Sequence, residues 1–151
     1  MRWNLLDQIL DCCPGEWATG TKTFPSSEPL FLDHFPGFPI VPGVLQIEMM
    51  AQLGGKCVAL KYPYILPVLG TVKQAKFYAN VRPEEKCLIS AKIVKISKAY
   101  SLAEAEIKVG ETRVSAATIL FGHIPREKIN LDRSDTEFDA VTREWLGRQK
   151  T

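Results

Sequence analysis

Residues 34–60 read HFPGFPIVPGVLQIEMMAQLGGKCVAL, and the two parts of this stretch behave differently. From Val44 to Leu60 the residues predict one helix. Apolar side chains at Val44, Leu45, Ile47, Met49, Met50, Leu53, Val58 and Leu60 fall nearly all round it. A helix apolar on every face is one buried in a core. Pro42-Gly43 suits its start, and Pro63 ends it, because proline has no amide to continue the ladder. Gly54 and Gly55 cost about 1 kcal/mol each against alanine. The close approach of a neighbouring backbone is the expected reason for them. Residues 34–43 belong instead to a segment, 25–43, with prolines at 25, 29, 36, 39 and 42 and glycines at 37 and 43. That composition excludes helix and central strand. It predicts a rigid, extended loop able to hold side chains in fixed positions.

Working outward, the hydrophobic period becomes two from residue 68. Strands are expected over 68–79, 86–97, 100–109 and 112–123. In the third, Ala103, Ala105, Ile107 and Val109 alternate with Glu104, Glu106 and Lys108, giving one buried and one wet face. Gly110-Glu111 suits a two-residue hairpin of Gly-X type. Upstream, Leu5, Leu6, Ile9 and Leu10 predict a helix over 4–12, closed by Pro14-Gly15, and a polar strand follows at 17–24. In the tail, Ser134 and Glu137 have the spacing of a capping box. After it Phe138, Val141, Thr142, Trp145 and Leu146 form a helical stripe with Gly147 as its stop, packed on the body or on another subunit. The pattern predicts an α+β domain over 1–123, an antiparallel sheet wrapped round one long helix, and an extension over 124–151 with a short amphipathic helix.

Composition narrows the function. The chain has 151 residues, 46% hydrophobic and 24% charged, which excludes disordered, collagen-like and disulfide-stapled classes. Nineteen basic and seventeen acidic residues leave +2, so no charge excess points to nucleic acid or a membrane surface. The cysteines, at 12, 13, 57 and 87, form no CxxC pair and suit a reduced compartment. Asp7 and Asp11 interrupt the only apolar stretch at the start, where a signal core would be uncharged. Gln46, Glu48, Gln52 and Lys56 prevent 44–60 from spanning a bilayer. A soluble, cytoplasmic protein is expected.

The chemistry rests on few residues. There are two histidines, His34 in the proline-rich loop and His123 at a strand end, the latter read as structural. Glu48 stands on the apolar helix, where a carboxylate is costly unless paired or protonated. A protonated carboxyl is a general acid and an imidazole is the natural base near neutral pH. His34 and Glu48 are therefore an acid/base candidate pair. The helix start at Gly43-Val44 adds backbone amides able to polarise a carbonyl. Both residues also have structural readings: a loop histidine can simply hold its loop, and Gln52, one turn from Glu48, can be its partner. Asp7 and Gln8 read as surface or capping groups, and Cys12 and Cys13 as inert for want of a basic neighbour. No metal-ligand spacing, P-loop, G-x-S-x-G elbow or G-x-G-x-x-G occurs.

The run from His34 to Gln52 resembles the signature of the 3-hydroxyacyl-(acyl-carrier-protein) dehydratases, H-F-P-G-x-P-(I/V)-x-P-G-V-L-x-x-E-x-x-A-Q, with its spacing intact. Weaker similarity runs from Trp3 to about His123, including Leu5-Leu6-Asp7 and Glu28-Pro29-Leu30-Phe31. The resemblance implies the hotdog fold and a homodimer with sheets joined across the interface, often assembled further into a trimer of dimers. It implies a tunnel at that interface, with His34 from one subunit and Glu48 from the other. His34 would take the C2 proton of a 3-hydroxyacyl chain held on acyl carrier protein. Glu48 would protonate the departing C3 hydroxyl, and the Gly43 amide would bind the thioester carbonyl. A trans-2-enoyl thioester results, with neither metal nor cofactor. Phe38, Val44, Met49, Met50 and Tyr78 are the expected tunnel lining, and Lys73, Lys76 and Arg82 the expected contacts to the acidic carrier.

Two positions and one stretch depart from the family pattern. Asp33 replaces the usual glycine before the histidine, and Phe38 stands where a polar residue is usual. Residues 77–85, FYANVRPEE, replace a stretch like F-R-R-P-V-x-P-G-D, with Glu84 in place of glycine. Two other activities stay in view at this stage. A hotdog thioesterase would use Glu48 to activate water, and a non-catalytic subunit would only bind acyl chains.

Overall fold

A computed structural model describes residues 1–129 and 140–150. Its sheet has six antiparallel strands: β1 (Gln8–Cys13), β2 (Trp17–Thr23), β3 (Ile65–Phe77), β4 (Lys86–Ile96), β5 (Tyr100–Val109) and β6 (Thr112–Pro125). They are ordered β1-β2-β4-β5-β6-β3. The helices are a single turn, α1 (Leu30–Asp33), the long α2 (Gly43–Lys61) and the terminal α3 (Ala140–Gln149), with a 3-10 turn at Arg126–Ile129. The alternation along β5 sets its register against β4 and β6, with Ala103, Ala105 and Ile107 facing the core. Gly110, at φ +59, opens the β5–β6 hairpin as the Gly-X turn requires.

α2 lies on the concave face of this sheet. Leu45, Met49, Met50, Leu53, Cys57 and Val58 are buried on it, against Ile89, Ile107, Ile119 and Phe121 from the strands. Full burial of a large apolar side chain contributes about 1.5–3 kcal/mol, so this face fixes the helix. The helix is not buried all round, as its composition suggested. Val44 is 72% exposed, and Glu48, Gln52 and Lys56 are only partly covered. A Cβ at Gly55 would find ordinary contacts at 3.8 and 3.9 Å, and Gly54 has a different cause from the expected one. A Cβ on Gly54 would meet the Phe121 ring at 3.2 Å, so an aromatic side chain, not a backbone, occupies that space.

Three local expectations are corrected. Residues 8–13 are strand, not helix. A bulge between Ile9 and Asp11 puts an extra residue into β1, so Ile9 and Cys12 are both buried at a spacing of three, which imitates a helical stripe. The loop over 25–43 contains α1, whose cap is Pro29; proline is tolerated at a helix start because the first amides need no partner within the helix. Gly147 lies inside α3, which continues to Gln149. The capping box at Ser134 and Glu137, and Phe138, fall outside the described residues.

α3 packs on the body. Val141 and Trp145, one turn apart, are buried on its inner side, and Arg148 donates to the carbonyl of Ile9 at the β1 bulge. The helix thereby covers the sheet's β1 edge. The other edge, β3, is thirteen residues long and exposes Leu69, Val72 and Phe77. Among the described residues no helix is long and apolar enough to cross a membrane.

Candidate active site

The histidine loop is built by its own prolines and glycine. Phe35 and Phe38 exchange both backbone hydrogen bonds, at 2.9 and 2.8 Å, around Pro36-Gly37. Gly37 sits at φ +74, so this is a type II turn with proline and glycine in the positions that geometry demands. The His34 amide closes α1 on Leu30, and the Ile40 amide donates to the His34 carbonyl at 3.0 Å. The His34–Phe35 peptide is cis, and the two rings stack at 4.1 Å. The imidazole Nδ1 lies 3.1 Å from the Ile40 carbonyl. A carbonyl can only accept, so Nδ1 carries a proton, and in the neutral ring Nε2 is the nitrogen with the free lone pair. The loop thus presents a base in a fixed tautomer.

At the start of α2, the amides of Leu45 and Gln46 both reach the Pro42 carbonyl. Those of Gly43 and Val44 precede the helix's own ladder, as the first amides of any helix do. A Cβ at position 43 would come within 2.9 Å of the Phe77 ring, so only glycine fits as that ring lies. One and a half turns on, Glu48 Oε1 accepts from Gln52 Nε2 at 3.1 Å and from Trp3 Nε1 at 3.1 Å. Gln52 in turn accepts from the Leu5 amide at 2.8 Å and donates to the Trp3 carbonyl at 2.9 Å. Two donors occupy Oε1, which leaves Oε2 as the oxygen to carry a proton. The i to i+4 partnership with Gln52 was legible in the sequence. Trp3 was not, because no spacing rule links residues 45 positions apart.

The predicted residues do not all meet. Among the described residues no hydrogen bond joins His34 to Glu48. Glu48 borders a cavity of about 560 Å³ that follows the outer face of α2, and His34 does not line it. Phe38 and Tyr78 are half exposed and Val44 largely so, whereas Met49 and Met50 lie in the core. Lys73 and Lys76 are exposed on β3, and the exposed Arg82 stacks its guanidinium over Phe38 at 6.0 Å. Arg113, which sequence reasoning passed over, lies over Tyr78 at 5.1 Å.

The other candidates have structural partners. His123 Nε2 lies 2.9 Å from Ser101 Oγ, and its Nδ1 3.3 Å from the Lys98 carbonyl. Asp7 accepts from the Thr23 amide at 2.7 Å and pairs with Lys22 at 3.3 Å. All four cysteines are free. A hydrogen bond to Cys57, with burial behind it, holds the Cys12 thiol well above the ordinary range, and a bond to Glu16 raises Cys13. Burial pushes Cys87 up to about 12. Thiols kept protonated are poor nucleophiles, in keeping with the inert reading of the 12–13 pair. Among the described residues no three His, Cys, Asp or Glu side chains are grouped to hold a metal ion.

With this geometry in place, the comparisons with known proteins are specific. The sequence pattern of the ApeI-like family, described as ApeI dehydratase, matches residues 13–115. The chain belongs to that family. The 3-hydroxyacyl-(acyl-carrier-protein) dehydratase FabZ of Syntrophomonas wolfei is 38% identical over 120 residues, 78% of this chain and 83% of the relative. Its counterpart in Clostridium acetobutylicum is 37% identical over 119 residues, 78% and 84% of the two chains. Among solved structures, the dehydratase heterocomplex ApeI:P of Xenorhabdus doucetiae aligns with TM-score 0.61 and 18% identity, covering 74% of this chain and 92% of that one. A thioesterase of Haemophilus influenzae aligns with TM-score 0.59 and 13% identity, covering 76% of each chain. At such identities a structural likeness speaks for the hotdog fold alone, which dehydratase and thioesterase share. The family match, through most of the chain, is what separates them. This ApeI-like chain is a dehydratase of hotdog fold.

One departure from the family pattern has a visible consequence. Glu84, in place of the glycine of the family pattern it resembles, adopts φ +67, a left-handed conformation. Its carboxylate accepts from the Ser26 amide at 2.6 Å and its amide donates to the Phe24 carbonyl at 2.8 Å. Two tertiary bonds thus hold a backbone geometry that a side chain disfavours.

Proposed function

We infer that the protein removes water from a 3-hydroxyacyl thioester carried on acyl carrier protein, with His34 as base and Glu48 as acid. Nε2 of His34 takes a proton from C2. The electron pair moves into the C2–C3 bond, and the C3 hydroxyl leaves as water with a proton from Glu48 Oε2. The Gly43 amide donates to the thioester oxygen as enolate charge gathers there. The product is the trans-2-enoyl thioester, with protons conserved between base, acid and water. The observation that carries this reading is the His34–Ile40 hydrogen bond, because it dedicates Nε2 to proton abstraction.

Among the described residues no hydrogen bond joins His34 to Glu48, and in this reading the pair is completed by a second copy, each subunit lending one residue to the other's site. The uneven treatment of the sheet edges supports this. α3 covers β1, whereas the long, partly apolar β3 edge stays open, an arrangement that invites pairing with an identical strand. Lys73, Lys76 and Arg82 are the cations offered to the acidic carrier, and the free cysteines suit a cytoplasmic setting.

The test is hydration of a crotonyl thioester, on carrier protein and on coenzyme A, with a free-thiol readout beside it. Loss of the enoyl absorbance, abolished in His34→Ala, is expected. Release of thiol without hydration would put the protein among the thioesterases.

A further inference from the structure

We propose that α3 forms a wall of the chamber receiving the acyl chain, and that Leu146 sets how long a chain it accepts. This rests on the dehydratase reading. If Glu48 protonates the C3 hydroxyl, the carbons from C4 onward must leave the reacting atoms beside Glu48 along an apolar path. The cavity of about 560 Å³ begins at that residue. Its size lies within the range of small-molecule sites, about 300–1,000 Å³.

The cavity's floor is the outer face of α2, where the small Ala51, Gly55 and Ala59 follow Glu48 at helical spacing and leave room, with the polar Gln52 and Lys56 beside them. Phe121 lines it from the sheet. The rest of its lining comes from the end of α2 and the start of β3, with Leu60, Pro63, Leu66, Pro67 and Leu69, and from the C-terminal extension. α3 has two adjacent stripes: Val141 and Trp145 anchor it in the body, and the neighbouring Arg143 and Leu146 line the cavity. Leu146 is 41% exposed, as a side chain facing an open chamber should be. The match to the family ends at residue 115, so this wall lies outside the shared part of the chain.

The test uses S-ethyl- and S-decyl-coenzyme A, thioethers without the reacting carbonyl, measured by calorimetry on the full chain. The wild type is expected to bind the decyl compound at least about tenfold more tightly, since each buried methylene adds to affinity. Leu146→Trp, which puts an indole into the chamber, should cut that preference about tenfold. Leu146→Ala should shift the preference toward S-dodecyl-coenzyme A, and it decides the matter if the tryptophan variant does not fold. A decyl preference unchanged in both folded variants overturns the proposal, as it would if a second copy filled the groove. Turnover is scored separately. A decyl preference that follows Leu146 without crotonyl hydration would remove the dehydratase reading and leave the chamber. Normal hydration with an indifferent Leu146 would do the reverse.

Discussion

Trp3 and Glu48 are joined across the whole first third of the chain, the indole Nε1 donating to Oε1 at 3.1 Å beside the bond from Gln52. The N-terminal segment thereby holds the Glu48 carboxyl, which under the proposed mechanism orients the acid. Trp3 is 62% exposed, so its loss should cost little stability. Trp3→Phe keeps the ring and removes the donor. It should lower kcat about three- to tenfold, the worth of one hydrogen bond, with KM and Tm nearly unchanged. Gln52→Leu breaks all the bonds Gln52 makes and should also destabilise the fold by about 1–3 kcal/mol. A wild-type kcat in Trp3→Phe would show that the carboxyl needs no such support.

Glu84 offers a stability test free of catalysis. Its left-handed backbone costs about 1–2 kcal/mol for a residue with a Cβ, and its carboxylate repays part of that through the Ser26 amide. Glu84→Ala keeps the strain and loses the bond, so urea unfolding should show a loss of about 1 kcal/mol. Glu84→Gly loses the bond but relieves the strain, and should be more stable than the alanine variant by about 1 kcal/mol. Equal stability of the two would mean that the backbone at 84 is unstrained.

These cases mark what the sequence could reveal. The long helix, five of the strands and the Gly110 hairpin were legible because periodicity and turn chemistry are local, and the His34 loop because five prolines leave the backbone few choices. The first strand was misread because a β-bulge makes burial recur at three, where an ordinary strand gives two. The one-sided burial of α2 was hidden because composition reports which residues are apolar, not which of them the sheet reaches. Trp3, Arg148 and the α3 wall were out of reach, since contacts across 45 or 139 positions depend on the finished fold. Gln52 was the exception, being one helical turn from its partner.

Cys87 gives a pH dependence with a definite sign. Its thiol is fully buried, and burial holds its pKa at about 12 in the folded protein against 9.0 for a free thiol. Between those values the unfolded chain has released the proton and the folded chain has not. The contribution is therefore complete below pH 9 and lost as pH rises toward 12, at about 1.4 kcal/mol per unit. Tyrosines and lysines titrate in the same range, so the comparison is with Cys87→Ser. Unfolding free energies by urea at pH 8, 9.5 and 11 should fall more steeply in the wild type. Parallel profiles would mean that the thiol is reached by solvent.

The separation of His34 from Glu48 leads to the most direct test of a shared site. If each site takes His34 from one subunit and Glu48 from its partner, His34→Ala and Glu48→Gln homodimers should each lose about 10²–10⁴ in turnover while remaining folded. In a hybrid of the two, one site carries both lesions and the other carries neither. Mixing equal amounts under conditions that exchange subunits makes half the dimers hybrid, each with one intact site, so about a quarter of wild-type activity should return. Were both residues drawn from the same subunit, every site in the hybrid would carry one lesion and nothing would be recovered. Recovery must also depend on exchange: mutants mixed without it stay inactive.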